Sequence, residues 1–267
     1  MATPARLGRG INVAEVLFYE RPVPLNRTEH KDLRIKPIPN LKFAGSVHSV
    51  PLTGVEFPAA ARDLPILFGG VTVEDAGPMA LLGLRENENL FINEQGHWVP
   101  NTYIPAFIRR YPFVLAEKPV GAEGDDFTVF LDEAYEGFNT TEGEVLFKDD
   151  GSESDVLNNA VRFLGEFQQH VSRTQWFMEQ LRKHKLLEPR NIRLEKDGKS
   201  INLNGLFVVN EEKLRQLDEQ TALEFLREGV FGWIYAHLVS LGNIDRVSQR
   251  LSEREQAELA ASSALKN

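Results

Sequence analysis

Arginines and tyrosines gather in one short segment of the chain, where together they could bind an anionic group. The segment 103–113 reads YIPAFIRRYPF and contains Tyr103, Arg109, Arg110 and Tyr111. Arg62 lies in an earlier block that is also rich in proline and aromatic residues. A guanidinium group forms two parallel hydrogen bonds with a carboxylate, and aromatic rings beside it give a site a rigid wall. We therefore predict that these five residues bind a peptide or a small anionic ligand.

The same arginines have a simpler interpretation as structural ion pairs. Arg62 is followed directly by Asp63, and Arg109 and Arg110 stand among apolar neighbours. A buried charge needs a partner of opposite sign, so arginines in such surroundings often tie loops to the core. For most of the arginines the sequence favours this structural role, and ligand binding is the competing hypothesis.

Histidine spacing does not indicate a local metal site. No two of the six histidines are separated by one, two or three residues, and the chain has no cysteine. Local zinc motifs depend on such spacings. A triad of two histidines and one carboxylate assembled by folding is the alternative, with His30, His48 and Asp63 as its members. Surface or hydrogen-bonded histidines are favoured over that triad, so we predict no metal and no cofactor.

Motifs that hold a nucleophile or a phosphate in a fixed position do not occur in the sequence. There is no G-x-S-x-G turn, no G-x-G-x-x-G loop and no Walker-type loop. These motifs anchor the common serine hydrolases and nucleotide-binding proteins. We therefore assign no catalytic residue and favour a non-enzymatic binding protein. The alternative is a peptide-modifying or metal-dependent, oxygenase-like enzyme whose site is assembled from residues far apart in the sequence.

Composition limits the partners of the chain. Its 267 residues include 30 basic and 39 acidic side chains, which gives a formal charge of −9, and 42% of the residues are hydrophobic. A negative chain is not attracted to phosphate backbones, so we predict no nucleic-acid partner. The longest apolar candidate, 230–241, is shorter than the roughly 20 residues that a membrane span needs, and it contains His237. The N-terminus lacks the continuous apolar region of a secretory signal, so we expect a cytoplasmic protein without a membrane span.

Five blocks of the sequence resemble the bacterial SapC family. They are VPLNRTEHKDLR at 23–34, VPLTGVEFPAAARDLPILF at 50–68, GPMALLGLR at 77–85, YIPAFIRRYPF at 103–113 and FGWIYAHLVSLGN at 231–243. The resemblance implies an envelope-related or peptide-related context in a bacterium, and an accessory role in ligand recognition. It supplies no set of catalytic residues that can be transferred to this chain. A purely structural, oligomeric protein is a third hypothesis.

The pattern of apolar residues predicts an α+β fold in three regions. Residues 1–150 are strand-rich with short helices at 57–62 and 104–111, and residues 151–250 hold a long helix, a β-hairpin and a helical C-terminal part. Whether these two regions form one body is left open. Residues 251–267 are expected to form a frayed helical tail. Strands are predicted at 71–73, 89–93 and 127–131, with a hairpin turn at 94–97 and a second one around Asp197–Gly198.

The long helix carries a stripe of apolar residues with helical spacing. From Leu157 to Leu181 these residues recur every three or four positions, Ser152 and Asp155 resemble a capping box, and Pro189 is expected to close the far end. Packing of this stripe against the rest of the protein is favoured. The alternative is a homo-oligomer joined through the helix at 155–187.

Overall fold

A computed structural model describes residues 17–117, 127–196 and 199–264, and it confirms the α+β fold. The strands are β1 (Pro22–Pro24), β2 (Arg34–Ile35), β3 (Ser49–Pro51), β4 (Ile66–Gly69), β5 (Gly77–Leu81), β6 (Phe113–Glu117), β7 (Phe127–Asp132), β8 (Phe138–Asn139), β9 (Glu144–Val145), β10 (Leu187–Pro189), β11 (Ile192–Lys196), β12 (Lys199–Leu203) and β13 (Leu206–Val209). The helices are α1 (Phe57–Ala60), α2 (Ala106–Arg109), α3 (Asp155–Lys183), α4 (Glu211–Arg215), α5 (Glu219–Arg227), α6 (Val230–Ser240) and α7 (Asn243–Ala264).

The chain divides into two compact units, and each unit is built from separate stretches of sequence. Unit 1 comprises the described residues before Leu41 together with Arg109–Gln169, and unit 2 comprises Leu41–Ile108 together with His170 onwards. These unit boundaries do not coincide with residue 150, where the sequence separates a strand-rich region from a region that begins with the long helix. The reason is that β1 pairs with β7, so residues 22–24 join a sheet more than 100 positions away.

Unit 1 contains two small antiparallel sheets and an apolar core. The strand orders are β1-β7-β6 and β8-β2-β9. Its buried core consists of Phe113, Leu131, Leu146, Phe147, Leu157 and Leu164. Proline occupies two of the three positions of the edge strand β1. Because proline has no N–H to offer, such an edge is a poor template for further strand pairing.

Unit 2 is organised around a five-stranded antiparallel sheet with the order β10-β13-β4-β5-β3. Both edge strands end in proline, at Pro189 and Pro51. Phe57 and Phe68 are fully buried, and the Phe57 ring meets Phe177 edge-on with 6.0 Å between ring centroids. The predicted short helix after Glu56 is confirmed as α1, with proline in its first turn.

Helix α3 confirms the predicted long helix but has different ends. Its first turn is capped by Ser154, whose Oγ accepts a hydrogen bond of 3.4 Å from the N–H of Leu157. The expected cap, Ser152, instead donates its hydroxyl to Asp150 at 2.6 Å. The helix ends at Lys183, six residues before Pro189, because Lys185 adopts a left-handed φ of 52°.

The apolar stripe of α3 is largely buried, as predicted. Leu157, Leu164, Phe167, Thr174, Met178 and Leu181 are each at most 8% exposed. These side chains are covered within a single chain. A homo-oligomer formed through 155–187 stays a prediction, and it would have to use another face of the helix.

Two predicted strands are wrong. Residues 71–73 form a turn, because the carboxylate of Asp75 accepts hydrogen bonds from the N–H of Val71 at 3.1 Å and of Thr72 at 2.5 Å. Residues 89–93 contain only an isolated bridge, from Ile92 to Trp98. The turn between these two bridge residues is confirmed, and Gly96 has the expected positive φ of 86°.

The C-terminal elements follow the prediction more closely. Strands β11 and β12 form the expected hairpin, whose turn residues 197–198 lie outside the described residues. Helix α7 includes the predicted helical tail as far as Ala264, and Leu251 is only 5% exposed. Among the residues that the structure describes, no helix combines the length and the apolar character that crossing a bilayer requires.

Candidate functional site

A buried carboxylate in unit 2, that of Glu56, fixes the position of Tyr103. Glu56 is 4% exposed, and its Oε2 accepts hydrogen bonds from the main-chain N–H and the hydroxyl of Thr53, at 2.9 and 2.8 Å. Its Oε1 accepts from the phenol of Tyr103 at 2.9 Å and from the N–H of Ala106 at 2.7 Å. Four donors surround this carboxylate, so its lone pairs are satisfied within the protein.

Asp63 holds the same tyrosine by its main chain. The Oδ2 atom of Asp63 accepts a hydrogen bond of 2.9 Å from the N–H of Tyr103. The side chain of the preceding residue, Arg62, is exposed, and its carbonyl accepts a hydrogen bond of 3.0 Å from Arg246. The acidic residues of the 50–68 block therefore anchor the start of the 103–113 block.

In unit 1, Arg110 and Tyr111 belong to a network around the fully buried Asp132. The carboxylate of Asp132 accepts hydrogen bonds from the main-chain N–H groups of Glu20 at 3.0 Å and Arg21 at 2.8 Å. The phenol of Tyr111 donates to the same carboxylate at 3.1 Å. This carboxylate thus ties the chain around residue 20 to the end of β7.

Arg110 is buried in the same network. It hydrogen-bonds the phenol of Tyr19, and its guanidinium lies 5.3 Å from the centroid of the Phe167 ring. Burial raises the pKa of Tyr19 above its ordinary value, against the opposing effect of the Arg110 charge. Burial also raises the pKa of Tyr111, and the charge of Asp132 raises it further. Both phenols therefore keep their protons at neutral pH and act as hydrogen-bond donors.

The five predicted ligand-binding residues are divided between the units. Arg62 and Tyr103 belong to unit 2, whereas Arg109, Arg110 and Tyr111 belong to unit 1. Arg109 is exposed, with its guanidinium 5.3 Å from the centroid of Phe163. The contacts described for Tyr103, Arg110 and Tyr111 are hydrogen bonds and a ring contact within the protein. A role of these residues in ligand binding stays a prediction.

The histidines considered for a metal site have other contacts. His30 is in unit 1, where its Nδ1 accepts a hydrogen bond of 2.9 Å from the N–H of Asn26, whereas His48 and Asp63 are in unit 2. Within the described ranges, no group of three or more His, Cys, Asp or Glu side chains is placed to hold a metal ion.

Unit 2 contains a pocket with an apolar floor and a cationic rim, which we call the arginine pocket. Its volume is about 320 Å³, and its lining comprises Leu67, Arg190, Asn191, Ile192, Arg193, Leu194, Val208, Leu241, Ile244 and Asp245. Leu67 and Val208 are buried floor residues, whereas Arg190 and Arg193 are exposed. Two arginines against one aspartate leave the lining with a net positive charge.

Neighbouring elements hold the arginine pocket in shape. The N–H of Arg190 donates to the carbonyl of Leu206 at 2.7 Å, which extends the pairing of β10 with β13 by one residue. Five consecutive residues, from Arg190 to Leu194, line the pocket, so one side of it is formed by the connection between β10 and β11 and by the first residues of β11. A lining that combines aliphatic residues with two arginines suits a ligand with an apolar body and an anionic head.

A second, larger depression in unit 2 lies beside the C-terminal helix, and we call it the α7 groove. Its volume is about 560 Å³, and its lining comprises Lys42, Gly45, Asn89, Leu90, Ile92, Asn93, Glu94, Arg250, Glu253, Arg254, Ala257 and Glu258. In contrast to the arginine pocket, this lining carries charges of both signs in equal number.

The sequence prediction did not select Arg190 or Arg193. The available signal was the predicted strand at 191–195, in which Ile192 and Leu194 alternate with polar residues. That pattern indicates an apolar face beside an arginine. It does not reveal Leu67, Leu241 and Ile244, which only the fold brings to the same pocket.

Comparison with known proteins identifies one family. Residues 25–247 match SapC. No curated protein and no solved structure matches the chain. All the residues that line the arginine pocket lie inside the matched segment, whereas five of the twelve that line the α7 groove lie beyond residue 247.

Proposed function

The chain belongs to the SapC family, and we propose that it is a non-enzymatic binding protein whose ligand combines an apolar body with a carboxylate. The ligand class includes the C-terminus of an apolar peptide and a free fatty acid. One observation carries the proposal: Arg190 and Arg193 line a pocket of about 320 Å³ together with the aliphatic residues Leu67, Val208 and Ile244. This volume lies at the small end of the range for ligand sites.

The chemistry of the rim supports a carboxylate as the recognised group. Arginine keeps its charge at all accessible pH values and forms bidentate hydrogen bonds with planar anions. The floor residues Leu67, Val208 and Ile244 contribute apolar area, which stabilises a bound hydrocarbon by about 25 cal/mol per Å² removed from water. Neither contribution requires a catalytic group.

Calorimetric titration with two acid–amide pairs tests the proposal. The probes are N-acetyl-leucine with its amide, for a peptide terminus, and octanoate with octanamide, for a fatty acid. We expect at least one acid to bind and its amide to bind at least tenfold more weakly. The pair that responds identifies the source of the carboxylate. Equal binding of acid and amide, or no binding of either acid, contradicts the proposal.

Variants of the rim connect this binding to the pocket. Arg190→Ala and Arg193→Ala should each weaken binding of the acid about tenfold, which corresponds to about 1.4 kcal/mol. Asp245→Asn should strengthen it, because it removes a negative charge from the lining. Arg215→Ala is the matched control, since Arg215 is an exposed arginine whose contact is an ion pair with Glu211 on the same helix.

The residues predicted from the sequence give a second possible location for the same function. If Arg109 or Arg62 binds the carboxylate, Arg109→Ala or Arg62→Ala should weaken acid binding tenfold and leave the melting temperature unchanged. An unchanged affinity for both variants removes this location and leaves the arginine pocket as the site.

Two further proposals concern the type of protein and its location. A non-enzymatic protein purified without chelator should contain no stoichiometric metal, and a bound metal would favour the oxygenase-like alternative instead.

We also propose a cytoplasmic location. Fractionation should recover the intact chain in the cytoplasmic fraction, and recovery from the periplasm or from carbonate-washed membranes contradicts that location.

A further inference from the structure

The α7 groove has a lining whose chemistry differs from that of the arginine pocket. One of its walls is a single face of α7, on which Arg250, Arg254 and Glu258 follow one another at intervals of four residues. The opposite wall is the segment from Asn89 to Glu94. The five α7 residues of the groove lie beyond residue 247, outside the segment that matches SapC.

Side-chain contacts hold the two walls of the groove in place. Arg254 donates one hydrogen bond of 3.0 Å to the carbonyl of Asn89 and another of 2.6 Å to that of Ile92. The guanidinium of Arg250 lies 4.8 Å from the centroid of the Phe91 ring, which in turn stacks on Trp98 at 5.5 Å. Arg250 is therefore held by the aromatic pair before any ligand arrives, which lowers the entropy cost of binding.

The charges along the groove select a ligand that carries both signs. Lys42, Arg250 and Arg254 are opposed by Glu94, Glu253 and Glu258. The three carboxylates would repel a phosphate backbone or an anionic headgroup, and the three cations would repel a polycation. The apolar lining is limited to Leu90, Ile92 and Ala257, so a purely hydrocarbon ligand gains little.

We propose that the α7 groove binds an extended peptide segment in which acidic and basic side chains alternate. In this arrangement acidic side chains of the peptide meet Arg250 and Lys42, and its basic side chains meet Glu94 and Glu258. The groove follows about two turns of α7, from Arg250 to Glu258. Because of this length, we favour a peptide over a single amino acid as its ligand.

Fluorescence anisotropy with three labelled octapeptides tests the proposal. The probes are alternating Lys-Glu, octaglutamate and octalysine, each with an amidated C-terminus so that no terminal carboxylate is available to the arginine pocket. We expect the alternating peptide to bind at least tenfold more tightly than either homopolymer. No binding, or tighter binding of one homopolymer, overturns the proposal. Competition by the dipeptide Lys-Glu at the same concentration as the octapeptide also overturns it.

Charge variants assign the binding to the groove. Arg250→Gln should weaken binding of the alternating peptide at least tenfold, whereas Arg190→Ala, in the other pocket, should leave it unchanged. This control separates failure of the groove from failure of the arginine pocket. If Arg250→Gln unfolds the protein, Glu258→Lys on the exposed surface provides the test, because it should shift preference toward octaglutamate. An unchanged preference in a folded Glu258→Lys variant overturns the assignment.

Discussion

The phenol of Tyr103 donates a hydrogen bond of 2.9 Å to the buried carboxylate of Glu56, across 47 positions of sequence. The same carboxylate accepts a hydrogen bond from the N–H of Ala106. Two of the sequence blocks that resemble the SapC family are thus joined by one acidic side chain. The acidic and aromatic residues at these positions therefore stabilise the fold of unit 2.

Glu56→Gln should destabilise the protein by about 2 kcal/mol or more. An amide offers a donor where the carboxylate offered an acceptor, so at least one buried donor loses its partner, at a cost of about 1–3 kcal/mol. Tyr103→Phe removes only one donor and should cost about 1 kcal/mol. Denaturant titration measures both changes.

The double variant shows whether these two effects have a common origin. If the hydrogen bond couples the residues, the double variant should be less destabilised than the sum of the single variants. Additive effects would mean that Tyr103 and Glu56 stabilise the protein independently, contrary to the geometry.

Gly54→Ala should destabilise the protein by about 1–3 kcal/mol through overpacking. A Cβ atom at Gly54 would lie 2.2 Å from the ring of Trp233, and the N–H of Gly54 donates to Thr174 at 2.9 Å. Gly165→Ala is the control, because nothing lies within 4 Å of its Cβ position and alanine is favoured in a helix. The control should be neutral or stabilising. Equal melting temperatures for the two variants contradict the close approach at Gly54.

Leu164→Ala should lower the free energy of unfolding by about 2–5 kcal/mol. Leu164 is 2% exposed in the core of unit 1, next to Leu157 on the same stripe of α3. Leu259→Ala, on a residue that is 69% exposed, should change stability by less than about 0.5 kcal/mol. A similarly small effect at Leu164 would indicate that the stripe does not contribute to the core.

Local patterns predicted those elements whose signal lies within a short stretch of sequence. The periodic stripe of α3, the proline at the start of α1 and the Asp197–Gly198 hairpin signal each indicated the correct element. The strand predicted at 71–73 was wrong. Its three residues favour β-structure, but the prediction did not account for Asp75, whose carboxylate closes the turn. A short apolar run has little periodicity, and one side-chain acceptor is enough to override its preference.

Local sequence patterns could not predict the candidate sites, because residues that are distant in sequence form them. Arg62 and Arg109 were selected because they stand near aromatic residues in sequence, yet the two belong to different units. Arg190 lies in a less unusual stretch of sequence, but the fold brings it into one pocket with Leu67 and Ile244, from β4 and α7. Sheet pairing between distant strands produces this pocket, and register over such distances is not encoded in spacing.

His237 links α6 to two strands of the unit 2 sheet. Its Nδ1–H donates to the carbonyl of Ile66 at 2.8 Å, and its Nε2 accepts from the N–H of Val209 at 3.1 Å. The side chain is fully buried, and Phe68 lies 4.8 Å away between ring centroids. This geometry requires a neutral imidazole, because a protonated Nε2 could no longer accept the hydrogen bond from Val209.

Stability should therefore fall with pH below the ordinary range of histidine. Burial lowers the pKa of His237 from 6.5 to about 4. Above pH 6.5 neither the folded nor the unfolded chain binds a proton at this residue, so its contribution is constant. Between about pH 6.5 and 4 only the unfolded chain binds the proton, so the free energy of unfolding should decrease by about 3 kcal/mol in total.

Urea titrations at half-unit intervals of pH measure this slope, and His237→Asn isolates it, because asparagine can donate and accept without titrating. The variant will be less stable at pH 7, but the difference between it and the parent should shrink as the pH falls from 6.5 to 4. A difference that stays constant across this range would show that His237 does not titrate with the lowered pKa.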